Sequence, residues 1–349
     1  MNPNVPQVAA ADAQRPLFFG VDVGGTNTKI GLVDDNGATI DTRKTPTHEE
    51  RGPADAVQRM AAIYREMLAT HGIQDEDVAA AGLGCPGSMD IPNGLVLAPP
   101  NLPHWRHFPI RDALGEAIGK LVGYANDANA AAYGEYWIGS GRNHPNMVML
   151  TLGTGVGGGI IVNNLSIDGT NSFGSECGHI IVDSHEDARL CVWGGGQGQL
   201  EAYACAGAVV ARTRELLDGG RESSLSARLA AGEELTPLLL YEEAERGDAL
   251  SLEVILETAR YLGIAITTLV HIIDPGLIVI GGAMTFGEHR TAIGRQFLDA
   301  IRAEFRRRAF EAVLDGTVID YASLGGAAGY IGAAGIGRVA FYGRENLKP

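Results

Sequence analysis

The chain has 349 residues, 45% of them apolar, enough for two ordinary domains that each bury a core. Its 27 Lys and Arg against 42 Asp and Glu leave a formal charge of −15, which repels DNA, RNA and anionic membranes at long range and disfavours nucleic-acid binding. No apolar run is long enough to span a bilayer, and Cys85, Cys177, Cys191 and Cys205 form neither a CxxC pair nor a disulfide framework, so a cytoplasmic protein with reduced thiols is expected.

Residues 1–16, MNPNVPQVAAADAQRP, lack a basic start and an apolar run and read as a disordered tail. Leu17 to Val23 (LFFGVDV) is a compact β-branched and aromatic run that predicts a strand. The glycine turn Gly24-Gly25-Thr26-Asn27-Thr28 follows, then a second strand, KIGLVDD. Asn36-Gly37 predicts a type I′ hairpin into a third strand, ATIDTRKT. Helical spacing marks PADAVQRMAAIYREMLATHG and IRDALGEAIGK, with the buried strand VAAAGLGCPG between them.

About 129 residues after the first glycine turn the same order recurs: MVMLTL, Gly153-Thr154-Gly155-Val156-Gly157, GGIIV and an Asn163-Asn164 turn. Two similar units imply two similar domains, each an α/β sheet. Downstream, LSLEVILETARYLGIAITTLVHIID carries an apolar stripe through Leu252, Ile255, Leu262, Ile266, Leu269 and Val270 that Pro275 ends, and LIVIGGA is a strand entering a further glycine turn. Arg302 to Arg308 (RAEFRRR) reads as a solvated helix face, and the last helical segment, GGAAGYIGAAGIGRVAFYG, is placed to cross back onto the first domain. The expected domains are 17–138, joined by 327–349, and 139–326.

Glycine turns let backbone N–H groups approach a phosphate where a side chain would block it. On that ground Gly25, Thr26, Asn27 and Thr28 are assigned to nucleotide phosphates, Asp22 to Mg²⁺ or its waters, and Gly153, Thr154 and Gly155 to the facing turn. A tight hairpin alone would explain either turn taken singly. A Walker loop is absent, since the only Gly-Lys pair, Gly119-Lys120, has Leu114 where the first glycine belongs. Gly153-x-Gly155-x-x-Gly158 matches a dinucleotide fingerprint in letters, but that motif must open a helix and GGIIV reads as a strand.

Asn126-Asp127 sits where a strand meets an alanine-rich helix, so Asp127 is either a helix cap or a functional carboxylate. Asn101, Glu176, His179 and Glu201 are further polar residues in glycine- or proline-rich settings, and carboxylates, amides and imidazoles suit a hydroxyl-rich ligand.

Taken together, DVGGTNTK, NDANAAAYGE, LGTGVGGG, GSECGH and APPNLPHW resemble the ROK family of sugar kinases and sugar-responsive repressors, in the family's order from about Leu17 to Gly343. NLPHW looks particularly like the family's bacterial glucokinases. The resemblance implies two actin-like (ribonuclease H-like) α/β domains around an interdomain cleft, usually in a homodimer, and ATP-dependent phosphorylation of a hexose, with glucose expected. By position it implies Asp127 as catalytic base, Asn101, Asn126, Glu176, His179 and Glu201 on the sugar, and Gly281 and Gly282 near the adenosine. Mannose, fructose or N-acetylmannosamine as substrate, and polyphosphate as donor, stay open. A repressor of this family needs a winged helix-turn-helix ahead of the sugar domains; sixteen residues precede the first strand, so repressor function is not expected.

The family commonly carries CxCGxxGCxE, whose cysteines join a histidine at the ExGH position around a structural zinc. Here 191-CVWGGGQGQLE-201 keeps Cys191 but has Trp193 and Gln199 at the other cysteine positions and one inserted residue. No structural zinc is expected.

Overall fold

The computed structural model describes residues 2–192 and 195–345. In chain order its elements are β1 (Leu17–Val23), β2 (Asn27–Val33), β3 (Thr39–Pro46), α1 (Gly52–His71), β4 (Val78–Cys85), β5 (Met89–Asp90), β6 (Leu95–Val96), α2 (Ile110–Ile118), β7 (Leu121–Asn126) and α3 (Asp127–Trp137). There follow β8 (Met147–Leu152), β9 (Val156–Val162), β10 (Leu165–Ser166), α4 (Glu201–Ala204), α5 (Ala206–Asp218), α6 (Leu225–Ala230), α7 (Pro237–Glu245) and α8 (Ala249–Ile273). The chain ends with β11 (Leu277–Gly282), α9 (Ala292–Arg308), α10 (Glu311–Leu314), β12 (Val318–Tyr321) and α11 (Ala328–Glu345).

The two main sheets have one topology: β3-β2-β1-β4-β7 and β10-β9-β8-β11-β12 match strand for strand. In the first, β1 and β2 are antiparallel while β1, β4 and β7 run parallel; in the second, β8, β11 and β12 run parallel and β10 opposes β9. The repeated grammar of the sequence therefore corresponds to a repeated sheet. By contact density the chain divides into one unit of residues 1–145, 159–175 and 323–349 and another of 146–158 and 176–322.

Two local expectations meet different geometry. The turn before β3 is not type I′: Gly37 is left-handed (φ 84°) and Asn36 is not, because the Asp34 carboxylate accepts from the N–H groups of both Asn36 and Ala38 and holds a longer turn. The Asn163-Asn164 pair, by contrast, has φ of 50° and 67°, the paired left-handed residues of a two-residue hairpin. The segment ahead of β1, expected to be disordered, has a defined path: Val5 is buried, and the N–H of Val8 donates to the Thr39 carbonyl at 3.1 Å.

In the first unit, α11 lies directly on the strands. A Cβ built on Gly82 of β4 would stand 1.7 Å from the Ala333 carbonyl oxygen, and one on Gly332 would stand 1.6 Å from the Ala130 oxygen of α3. Helix, sheet and α3 are thus in backbone contact. Tyr330, Ile331 and Ala334 of α11 complete a core with Phe18, Val33 and Ala80, while Leu17, Phe19, Val21, Met60, Tyr64 and Leu83 fill the other face beneath α1 and α2.

Glu135 of α3 is fully buried and accepts from the Ser140 N–H (3.0 Å), the Ser323 hydroxyl (2.9 Å) and the Leu324 N–H (2.6 Å). It clasps the segments by which the chain leaves and re-enters this unit. Removing it strands buried donors, so Glu135→Ala is expected to lower unfolding stability by about 3 kcal/mol. Glu135→Gln should cost less, because an amide oxygen still accepts. Equilibrium urea unfolding checks both; an Ala variant as stable as the wild type would refute the clasp.

Candidate functional site

In the parallel part of the first sheet the register sets Asp22 of β1 beside Gly84 of β4, and Cys85 beside Asn126 of β7. Asp22, at the end of β1, and Asn126 and Asp127, at the end of β7, consequently lie on either side of β4 at the carboxyl end of the parallel strands, where open α/β sheets bind ligands. Asn126 is the N-cap of α3, its side chain accepting from the Ala128 N–H at 2.9 Å. Asp127 is the first helical residue, with Oδ1 also 2.9 Å from that N–H.

Burial raises the Asp22 pKa above its ordinary value and Lys29, its cross-strand partner, opposes the rise. The carboxylate is pressed against α11: a Cβ on Gly329 would lie 2.2 Å from Oδ2. Burial, with Asp127 and Asp22 adding to it, likewise pushes the Cys85 thiol up, which makes Cys85 an inert core residue.

Thr47 organises the turn between β1 and β2. Its hydroxyl donates to the Gly24 carbonyl (2.6 Å) and its N–H to the Thr26 carbonyl (2.9 Å). Gly25 and Thr26 are exposed and Asn27 is half-buried, but Thr28 is 1% exposed with its hydroxyl 3.2 Å from that of Thr47. The Thr28 side chain thus faces the core and braces the turn, so its part toward a phosphate would be played by its backbone.

Asn101 comes to the same place. A Cβ on Gly25 would sit 3.3 Å from the Asn101 Cβ, so the glycine makes room for the loop that carries it. That loop is anchored by the fully buried Leu102 and Trp105, and His104 Nδ1 lies 2.8 Å from Glu49 Oε2.

The second unit assembles the other candidates. A Cβ on Gly178 would meet the Val156 oxygen at 2.1 Å, which seats the turn of Glu176 and His179 against β9. Glu201, at the start of α4, accepts from the Val156 N–H at 2.8 Å, and a Cβ on Gly155 would strike its Oε2 at 2.5 Å. Gly155 is required by this carboxylate, and its φ is not left-handed. Gly281 and Gly282 end β11 in register with Thr151 and Leu152, so they adjoin the Gly153 turn, and Gly282 has φ 94°.

Burial raises the Glu176 pKa; His179, with Nε2 3.7 Å from Glu176 Oε2, opposes the shift and Glu201 adds to it. The short helix that begins at Glu201 is tied down by Arg212, a buried side chain the sequence reading passed over. Arg212 donates to the Tyr203 carbonyl of α4 (2.8 Å), to the Thr258 hydroxyl (3.1 Å) and to Glu257 (2.7 Å). Tyr203 stacks on Tyr261 at 4.0 Å and donates its hydroxyl to Asp183. Its helical spacing from Ala208 and Val209, on the buried face of α5, was the signal available for it.

At the altered zinc motif, Gln199 Oε1 lies 2.9 Å from His179 Nδ1 and 3.1 Å from Cys191 Sγ. Among the described residues no three His, Cys, Asp or Glu side chains converge as a metal site; Trp193 lies outside the described residues. No helix among the described residues is long and apolar enough to cross a membrane.

The chain is 34% identical over 316 residues to a glucokinase of Thermotoga maritima, spanning 88% of this chain and 96% of that protein. Among solved structures it resembles a ROK hexokinase from Thermus thermophilus (TM-score 0.76, 28% identity, 94% of this chain and 99% of that one). It also resembles a ROK family glucokinase from Streptomyces griseus in complex with glucose and AMPPNP (TM-score 0.72, 33% identity, 92% and 99%). The paired sheets are those of the actin-like fold. With the family's own model matching residues 18–338, the chain belongs to the ROK family.

Proposed function

We propose that this chain is a sugar kinase that transfers the γ-phosphoryl group of ATP to the 6-hydroxyl of glucose. The observation that carries the reading is that Asp22 and Asp127 both lie at the carboxyl end of the first sheet, on either side of β4, in a chain one-third identical to a relative solved with glucose and AMPPNP. The cytoplasm as location and a homodimer as the working form belong to the same reading.

Phosphoryl transfer passes through a loose transition state, so the protein has mainly to align donor and acceptor and neutralise oxygen charge. Asp127 is the base that takes the proton of the sugar's primary hydroxyl. Asn101, Asn126, Glu176, His179 and Glu201 bind sugar hydroxyls. Gly25, Thr26, Asn27 and Thr28, and Gly153, Thr154 and Gly155, offer backbone and side-chain donors to phosphate, with Gly281 and Gly282 toward the adenosine. Asp22 fits Mg²⁺, because a cation beside a carboxylate whose burial disfavours its charge would offset that cost. Bound there, Mg²⁺ would supply charge neutralisation at the phosphate oxygens.

A positioned base contributes about 10²–10⁴-fold in rate, so Asp127→Asn is expected to lose on the order of 3–5 kcal/mol of transition-state stabilisation while glucose affinity changes much less. Steady-state kinetics and glucose titration of the folded variant check this, and near-normal turnover would remove Asp127 from the chemistry. A coupled assay over glucose, mannose, fructose and N-acetylmannosamine with ATP, ADP and polyphosphate should give the highest kcat/KM for glucose with ATP.

The raised Glu176 pKa has a consequence for pH. Protonation removes an acceptor from the sugar site, so kcat/KM should fall on acidification through a value above the ordinary 4.5. Glu176→Gln cannot ionise and should flatten that limb; an identical acid limb in both proteins would exclude Glu176 from sugar binding.

A further inference from the structure

The shared contact at Gln199 is more specific than loop packing requires. A carboxamide oxygen can only accept, and it has two lone pairs. With His179 Nδ1 at 2.9 Å and Cys191 Sγ at 3.1 Å, both partners must be donors: the imidazole carries its proton on Nδ1, and Cys191 is a thiol.

The surrounding backbone is built to hold this amide. The Cys191 N–H donates to Gly196 (3.0 Å), the Leu200 N–H to Ile180 (2.9 Å) and the Val182 N–H to Gly198 (2.8 Å). A Cβ on Gly196 would lie 2.1 Å from Gln199 Nε2, so a side chain at 196 would displace the amide. Zinc does not fit this arrangement. A structural zinc needs four thiolate, imidazole or carboxylate ligands, whereas here a thiol and an imidazole N–H both point their protons at a neutral oxygen.

We propose that Gln199 is a positioning residue that replaces the family's metal with a hydrogen-bonded hub, tying the His179 turn to the Cys191 loop and holding His179 as its Nδ1–H tautomer. Nε2 is then an acceptor, 3.7 Å from the Glu176 carboxylate, and the two together suit neighbouring hydroxyls of a pyranose. The sugar contact rests on the kinase reading above; the hub and the tautomer do not.

Long-range ¹H–¹⁵N NMR of the histidine-labelled full chain reads the tautomer directly, with the His179 signals identified by their loss in His179→Gln. The wild type should show Nδ1–H. Gln199→Leu removes the acceptor at similar volume and should mix or reverse the tautomers and raise the glucose KM about fivefold, the equivalent of one hydrogen bond, with kcat changed less than about twofold. Gln199→Glu retains an acceptor and should restore the Nδ1–H form and most of the affinity. An Nε2–H tautomer in the wild type overturns the proposal without any variant having to fold. So does a Leu variant with unchanged tautomer and KM, or one zinc per chain surviving a chelator. An Nδ1–H tautomer in a protein that phosphorylates no sugar supports the hub and sinks the kinase reading instead.

Discussion

The close approach of α11 to the first sheet is the constraint on which that unit's site depends. Glycines on both surfaces bring backbone against backbone, at Gly82 over Ala333 and at Gly332 over Ala130. The same helix presses Gly329 against the Asp22 carboxylate and supports α3, whose first residue is Asp127. Asp22 and Asp127 are thus both positioned by a helix that begins some two hundred residues further along the chain than α3. A side chain at either glycine would lift the helix and move both carboxylates. Interiors packed at crystal density transmit such a shift; they do not absorb it.

In the second unit the comparable element is short and is held from outside. Helix α4 spans Glu201–Ala204, too little to be stable alone, and Arg212 and the Tyr203–Tyr261 stack secure it to α5 and α8. Glu201 then accepts from the Val156 N–H, which links α4 to the glycine turn between β8 and β9. Arg212 touches none of the proposed ligand-binding residues except through this chain of contacts. Its role is to make a polar side chain on one turn of helix as well placed as one on a long helix.

Several features were legible in the sequence because they are local. The β1 and β8 turns, the stop of α8 before Pro275 and the Asn163-Asn164 hairpin each follow from the conformational preferences of a few consecutive residues. The duplication could be read as well, since two copies of one strand order must repeat one pattern of apolar runs and turns. The segment before β1 was not legible: Val5 stands between Asn4 and Pro6 with no periodic pattern around it, and its burial depends on a surface made by residues distant in the chain. The inward turn of the Thr28 side chain was hidden for a related reason, because a one-residue difference along a strand decides whether a side chain meets solvent or core.

Residue types alone determined the fold class, the family resemblance and the set of polar residues fit for hydroxyls and phosphates. Tertiary structure decided which of them share a place: Asp22 with Asp127 through strand register, Asn101 with Gly25 through the anchoring of Leu102 and Trp105, and Gln199 with His179 and Cys191 through a folded loop. Sequence carries intrinsic chemistry and short-range conformational preference, while distances between groups far apart along the chain exist only once the cores have closed and set the register.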